Sequence, residues 1–161
     1  MAALKVLAVA VATGRAGFVY LEGIELRDWG ISIKAVRSTK NLVGYIQELI
    51  NEYQPDVVVT EKCGAGCRKG KRTKSLIHAA AEIASHNEVL DVSVDRPRLF
   101  PSKYDEARDL VTRHASLAGY LPRQKRRIFD FEPRGMVLFE ALAMAERVIH
   151  GPPDQLAAAM G

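Results

Sequence analysis

Polar and apolar positions divide the chain into short apolar runs and longer amphipathic stretches. The first run, Val6-Leu7-Ala8-Val9-Ala10-Val11-Ala12, has no polar side chain. A strand covered on both faces reads this way, whereas a half-exposed strand alternates. This run is therefore expected at the centre of a sheet, and its alternating valines and alanines give it one bulky and one small face. Thr13-Gly14-Arg15-Ala16-Gly17 is a turn signal and Phe18-Val19-Tyr20-Leu21 a second strand, so the chain folds back as a hairpin. Residues 24–34 interleave Leu26, Trp29, Ile31 and Ile33 with polar side chains. The alternation from Gly30 to Lys34 predicts a third, edge strand.

Helical periodicity begins next. Ser38 or Thr39 is placed to cap a helix carrying Leu42, Ile46, Leu49, Ile50 and Tyr53 on one face, and Gln54-Pro55 ends it. Asp56-Val57-Val58-Val59-Thr60 predicts a buried strand that finishes in Glu61. The intervening helix provides the crossover that a parallel pair needs. Residues 62–74 read as a glycine-rich loop, 75–86 as a helix and 89–94 as a short fifth strand. Ser102-Lys103-Tyr104-Asp105 opens a further helix with a pattern close to a capping box. Residues 119–134 look irregular. A last helix spans 135–150 and stops at Gly151-Pro152-Pro153. The Ala-rich residues 154–161 form a short tail expected to be poorly ordered. The order β-β-β-α-β-α-β-α-α predicts an α/β domain with a five-stranded mixed sheet: three antiparallel strands first, then parallel ones, and helices on both faces.

Composition narrows the class. The length suits one domain with a real core. Lysine and arginine exceed aspartate and glutamate by 23 to 19, a formal charge of +4. That favours a polyanionic partner, although mild basicity is also compatible with a plain solvated surface. No apolar run approaches the ~18 residues that span a membrane. The N-terminus lacks the features of a signal peptide. Two cysteines in one loop are too few for a disulfide scaffold and suit a reducing compartment, so a cytoplasmic protein is expected.

Few positions carry chemistry. Glu61 follows an apolar run at the carboxyl end of a parallel strand, where ligands of open α/β sheets gather; a strand-end surface charge would look the same. Glu140 sits at the margin of the apolar arc of the last helix, where it can point into a cleft or simply pair with Arg147. Asp130 and Glu132, just before that helix, could add oxygens or be loop charges. Two nearby carboxylates can hold Mg²⁺, and paired ions can drive phosphodiester cleavage. Cys63 and Cys67 look like half a zinc site without its second half, so a structural or incidental thiol pair is favoured. The four histidines are scattered. No dinucleotide-binding or Walker pattern follows the first strand. Two basic segments are candidate phosphate contacts: residues 68–74, with Arg68, Lys69, Lys71, Arg72 and Lys74, and residues 123–127, with Arg126 and Arg127.

These signals occur in a familiar order. The stretch from Leu7 through Ala10, Gly14 and Gly17 to Gly23 resembles the opening of RuvC-like proteins, Holliday junction resolvase-like members of the RNase H-like superfamily. There the first strand ends in an Asp-Pro-Gly-Thr type segment. Pro55-Asp56-Val57-Val58-Val59-Thr60-Glu61 resembles the family's fourth strand, which ends in a catalytic Glu. Lys103-Tyr104-Asp105-Glu106-Ala107 looks like its Lys-x-x-x-Ala helix start. Phe139-Glu140-Ala141-Leu142-Ala143-Met144-Ala145 resembles its closing Asp-Ala-Leu-Ala-x-Ala helix. The resemblance implies one RNase H-like domain over residues 1–151, followed by the tail at 152–161. It implies Glu61 and Glu140 as catalytic metal ligands for Mg²⁺ or Mn²⁺. It also implies basic residues, Lys103 among them, along a nucleic-acid backbone, with DNA rather than RNA as partner and a homodimer as the family's assembly.

The chain departs from the family at its central ligand. Ala10 stands where the first-strand Asp is expected, Val11-Ala12 replace Pro-Gly, and the last acid is Glu instead of Asp. Alanine cannot ligate a cation. The expected function is therefore a RuvC-like metal-dependent nuclease acting on nucleic-acid phosphodiesters, with branched DNA one candidate substrate and its hydrolytic power in question. The alternative is a catalytically inactive nucleic-acid-binding module of the same fold. A protein-interaction domain without a nucleic-acid role is a third, weaker reading.

Overall fold

A computed structural model of the chain describes residues 3–63, 67, 69–94, 102–121 and 134–150. The all-apolar run forms β1 (Lys5–Ala12). A two-residue turn leads into β2 (Arg15–Glu22), with Gly14 at φ +83°, a conformation that favours glycine. The chain continues through β3 (Glu25–Ser32), α1 (Thr39–Tyr53), β4 (Val57–Glu61), α2 (Lys71–Ser85), β5 (Leu90–Val94), α3 (Lys103–Arg113) and α4 (Met136–His150). The strands lie in the order β3-β2-β1-β4-β5. β1 and β2, and β2 and β3, pair antiparallel; β1 with β4 and β4 with β5 pair parallel. The expected central strand, hairpin and mixed sheet are all present.

The two faces of β1 have different partners. Leu7, Val9 and Val11 face α1 and α2, in a core with Leu42, Ile46, Leu76 and Ala80. Ala8, Ala10 and Ala12 face α4, in a core with Val137, Phe139, Ala141 and Leu142. The small face thus lies under the helix that comes closest. The Gly17 residue, opposite Ala10 in β2, has no side chain for the same reason: a Cβ there would lie 2.8 Å from Val137 Cγ1. Burying each large side chain of α4, such as Phe139 or Leu142, stabilises the fold by roughly 2–3 kcal/mol.

Local signals set most boundaries. Ser38 Oγ accepts from Asn41 N at 3.0 Å at the start of α1, and Gln54 ends that helix in a left-handed conformation. Ser102 Oγ accepts from Asp105 N at 3.2 Å and donates to Asp105 Oδ2 at 3.0 Å. Two boundaries differ from expectation. β3 stops at Ser32, and Ile33 is largely exposed. There Ser32 Oγ accepts from Ala35 N and a 3₁₀ turn, Lys34–Val36, follows. Helix α2 begins at Lys71, four residues earlier than its apolar periodicity suggests, because an exposed first turn needs no apolar side chain. The expected tail at 152–161 and the loop at 96–101 lie outside the described residues. Among the described residues no helix is long and apolar enough to cross a membrane.

Candidate functional site

Three elements converge at the carboxyl edge of the sheet. β1 and β4 run parallel with Ala8 beside Val59, and continuing that register two residues sets Ala10 beside Glu61. Val57 and Val59 lie in the same core as α4, so the two-residue period of the strand turns Glu61 to that side. Glu140 lies on α4 one turn after Val137, the residue that rests on Gly17. Both carboxylates belong to nearly buried residues, Glu61 8% and Glu140 5% exposed. Glu140 is therefore deeper than the helix margin on which its sequence position placed it. Ten of the fifteen residues of α4 are buried, leaving little rim on that helix.

The group between the two acids is Lys69. Its Nζ lies 2.9 Å from Glu61 Oε2 and 3.7 Å from Glu140 Oε1, and it donates to the carbonyl oxygen of Val11 at 2.9 Å. An ammonium has three N–H donors and no acceptor, which suits an oxygen-lined setting of this kind. Among the described residues Glu61 and Glu140 thus share the ammonium of Lys69.

A divalent ion does not fit the described residues. Mg²⁺ takes hard oxygen ligands in near-octahedral geometry. Ala10 offers no oxygen from its side chain, and the ammonium of Lys69 lies against both remaining carboxylates. Among the described residues no group of three His, Cys, Asp or Glu could hold a metal ion. Asp130 and Glu132, the other candidate oxygens, lie outside the described residues.

The remaining candidate residues take several positions. Lys71, Arg72 and Lys74 all fall in the first turn of α2. Arg72 Nη2 donates to the carbonyls of Val36 and Arg37 at 3.1 and 2.8 Å, tying α2 to the 3₁₀ turn. Lys71 is exposed, Lys74 is partly exposed, and Lys103 lies exposed at the start of α3. Arg68, Arg126 and Arg127 lie outside the described residues. Lys62, directly after Glu61, is exposed and was not singled out by its sequence context.

One expectation about the cysteines is corrected. Cys63 and Cys67 are not a thiol pair but a disulfide, with Cα atoms 5.2 Å apart. A spacing of four residues is compatible, in sequence, with a metal half-site and with a closed loop alike. His114, directly after α3, is buried. Its Nε2 is 2.8 Å from Glu146 Oε1, and Arg113 makes two further bonds to the same carboxylate at 3.0 and 2.7 Å. Desolvation is the largest single influence on Glu146 and pushes its carboxyl up. The hydrogen bonds from Arg113 and His114, with their charges, together outweigh it and hold the group below its ordinary value.

No protein-family model matches the chain, and no curated protein matches it in sequence. Solved structures do match in shape. RuvC of Thermus thermophilus in complex with a Holliday junction substrate aligns with a TM-score of 0.57 at 15% identity, covering 98% of this chain and 96% of that one. The fowlpox virus resolvase, in complex with substrate Holliday junction DNA, aligns at 0.59 and 11% identity, over 91% of this chain and 97% of the other. The yeast mitochondrial Holliday junction resolvase Ydc2 aligns at 0.53 and 12% identity, over 98% and 82%. Element order, strand pairing and these alignments agree: the chain has the RuvC-like form of the RNase H-like fold.

Proposed function

We propose that the chain binds branched DNA through its backbone phosphates and does not hydrolyse it. The observation that carries this reading is the position of the first turn of α2. It begins two residues after Lys69, whose ammonium rests on Glu61. Exposed cations therefore stand at the carboxyl edge of β1 and β4, within a fold that the chain shares with solved Holliday junction resolvases. Lys71, Lys74 and Lys62 are the proposed phosphate contacts at this edge. Lys103 extends the proposed track, and Arg68, Arg126 and Arg127, outside the described residues, are proposed contacts on sequence alone. Ala10 and Lys69 together argue against metal-dependent cleavage, because one removes a ligand and the other introduces a positive charge.

One observation favours a second reading, a Mg²⁺- or Mn²⁺-dependent nuclease: the fold does bring Glu61 and Glu140 together. Asp130 or Glu132 would then have to supply the oxygens that Ala10 lacks. A homodimer, the assembly implied by the family resemblance, belongs to either proposal and is measured by sedimentation.

Fluorescence anisotropy with a four-way junction, a duplex and a single strand, between 50 and 200 mM salt, tests the binding. The expected result is preference for the junction, with log affinity falling by roughly 0.9 per phosphate contact for each unit of log salt. Lys71→Ala should reduce that slope by about 1. Absent or salt-independent binding overturns the proposal. Junction cutting with Mn²⁺ that is lost in Glu61→Gln moves the conclusion to the nuclease.

A further inference from the structure

We propose that Lys69 is the resident cation of this site, standing between Glu61 and Glu140 in place of a divalent metal ion. The inference holds independently of whether the chain binds DNA.

Burial and geometry carry the argument. Lysine is almost never buried unless it is paired, yet the Lys69 side chain is only 22% exposed, and its carboxylate partners are 8% and 7% exposed. Two carboxylates this deep repel one another and lack bulk water, and a nearby positive charge offsets both costs. Lys69 supplies it at 2.9 Å from one and 3.7 Å from the other, and the Val11 carbonyl takes a third contact. That carbonyl follows Ala10 directly, so the ammonium reaches the strand at the point where a carboxylate is missing.

Charge explains why the two features occur together. Three carboxylates around one divalent cation carry the same net formal charge as two carboxylates around one ammonium. Ala10 and Lys69 are therefore complementary: an aspartate at position 10 would unbalance a site that holds only the lysine, and a divalent ion would be repelled by it. Among the described basic residues between 68 and 74, Lys69 is the one that bridges the two acids. Lys71 and Lys74 lie further along in α2, and Arg72 is bonded to the backbone at Val36 and Arg37.

The test is Mn²⁺ binding to the full chain, followed by electron paramagnetic resonance and calorimetry without DNA. The wild type, Ala10→Asp, Lys69→Met and the double variant Ala10→Asp/Lys69→Met are compared. The wild type and Ala10→Asp should bind no Mn²⁺ at this site. The double variant should bind at least tenfold more tightly than either single variant, and Glu61→Gln in that background should abolish the gain. Equal binding by Ala10→Asp and the double variant overturns the proposal, as does wild-type binding that Glu61→Gln removes. A second measurement on the wild type does not depend on the variants folding. The ¹⁵N signal of the Lys69 ammonium should be protected from exchange and should keep its intensity in millimolar Mn²⁺. Selective paramagnetic broadening of that signal, or its absence under conditions where buried ammonium groups are visible, also overturns it.

Discussion

Replacing Lys69 by methionine keeps an unbranched side chain of similar length and removes the charge. At an effective dielectric of 20, Coulomb's law makes the 2.9 Å contact with Glu61 worth about 6 kcal/mol gross and the 3.7 Å contact with Glu140 about 4 kcal/mol. Desolvation of three charged groups and up to ~2 kcal/mol of lysine rotamer entropy oppose this. Removing one partner of a buried pair usually costs about 3–5 kcal/mol, chiefly because the other charge is left uncompensated. Lys69 is more exposed than the two acids, so solvent screening lowers the expected loss to about 2–3 kcal/mol. For a chain of this size that is a drop in Tm of roughly 5–10 °C. Urea unfolding followed by circular dichroism measures it, and Glu61→Gln completes a double-mutant cycle. The coupling should be about 2 kcal/mol, with Lys69→Met/Glu61→Gln more stable than Lys69→Met alone. A Lys69→Met loss below about 0.5 kcal/mol, or additive effects of the two changes, would refute the account of a buried counter-ion.

Three other perturbations have definite outcomes. Gly17→Ala places a Cβ 2.8 Å from Val137 Cγ1, so α4 must shift. A loss of about 1–3 kcal/mol is expected, and restoration by Val137→Ala in the same chain would show that the contact is the cause. Cys63→Ser opens a disulfide that closes a loop of only four-residue separation. Loop-closure entropy then predicts a loss of about 2 kcal/mol, measurable by thermal melting with and without reductant. Glu146 has its carboxyl held below the ordinary value of 4.5 in the folded state. Its contribution is therefore fully present above that value and is lost as pH falls through the lower, folded one. Glu146→Gln should cost about 1–2 kcal/mol at pH 7 and should flatten the fall in stability as pH drops below 4.5; an unchanged acid limb would contradict the assignment.

Much of the architecture is legible in the sequence because it depends on local pattern. The polarity-free run at Val6 to Ala12 requires cover on both faces, and only the middle of a sheet provides that. Its alternation of small and bulky residues also anticipates which face admits a closely packed helix. Ser38 and Ser102 cap the helices they precede because capping is a contact across three residues. Glu61 and Glu140 could be singled out by their places on a strand end and an apolar helix.

Only the tertiary structure decided what those acids meet. Arg68, Lys69, Lys71, Arg72 and Lys74 are near neighbours in one basic segment, and nothing in their local context marks one as internal. Lys69 turns inward because α2 starts at Lys71 and because the end of β1 presents the Val11 carbonyl beside Glu61. Those are relations between residues up to 58 positions apart. The same holds for the depth of Glu140, which follows from how closely α4 rests on Gly17. Ala10 is visible in the sequence as a missing carboxylate. The ammonium that stands beside the two remaining ones is visible only once the strands are in register.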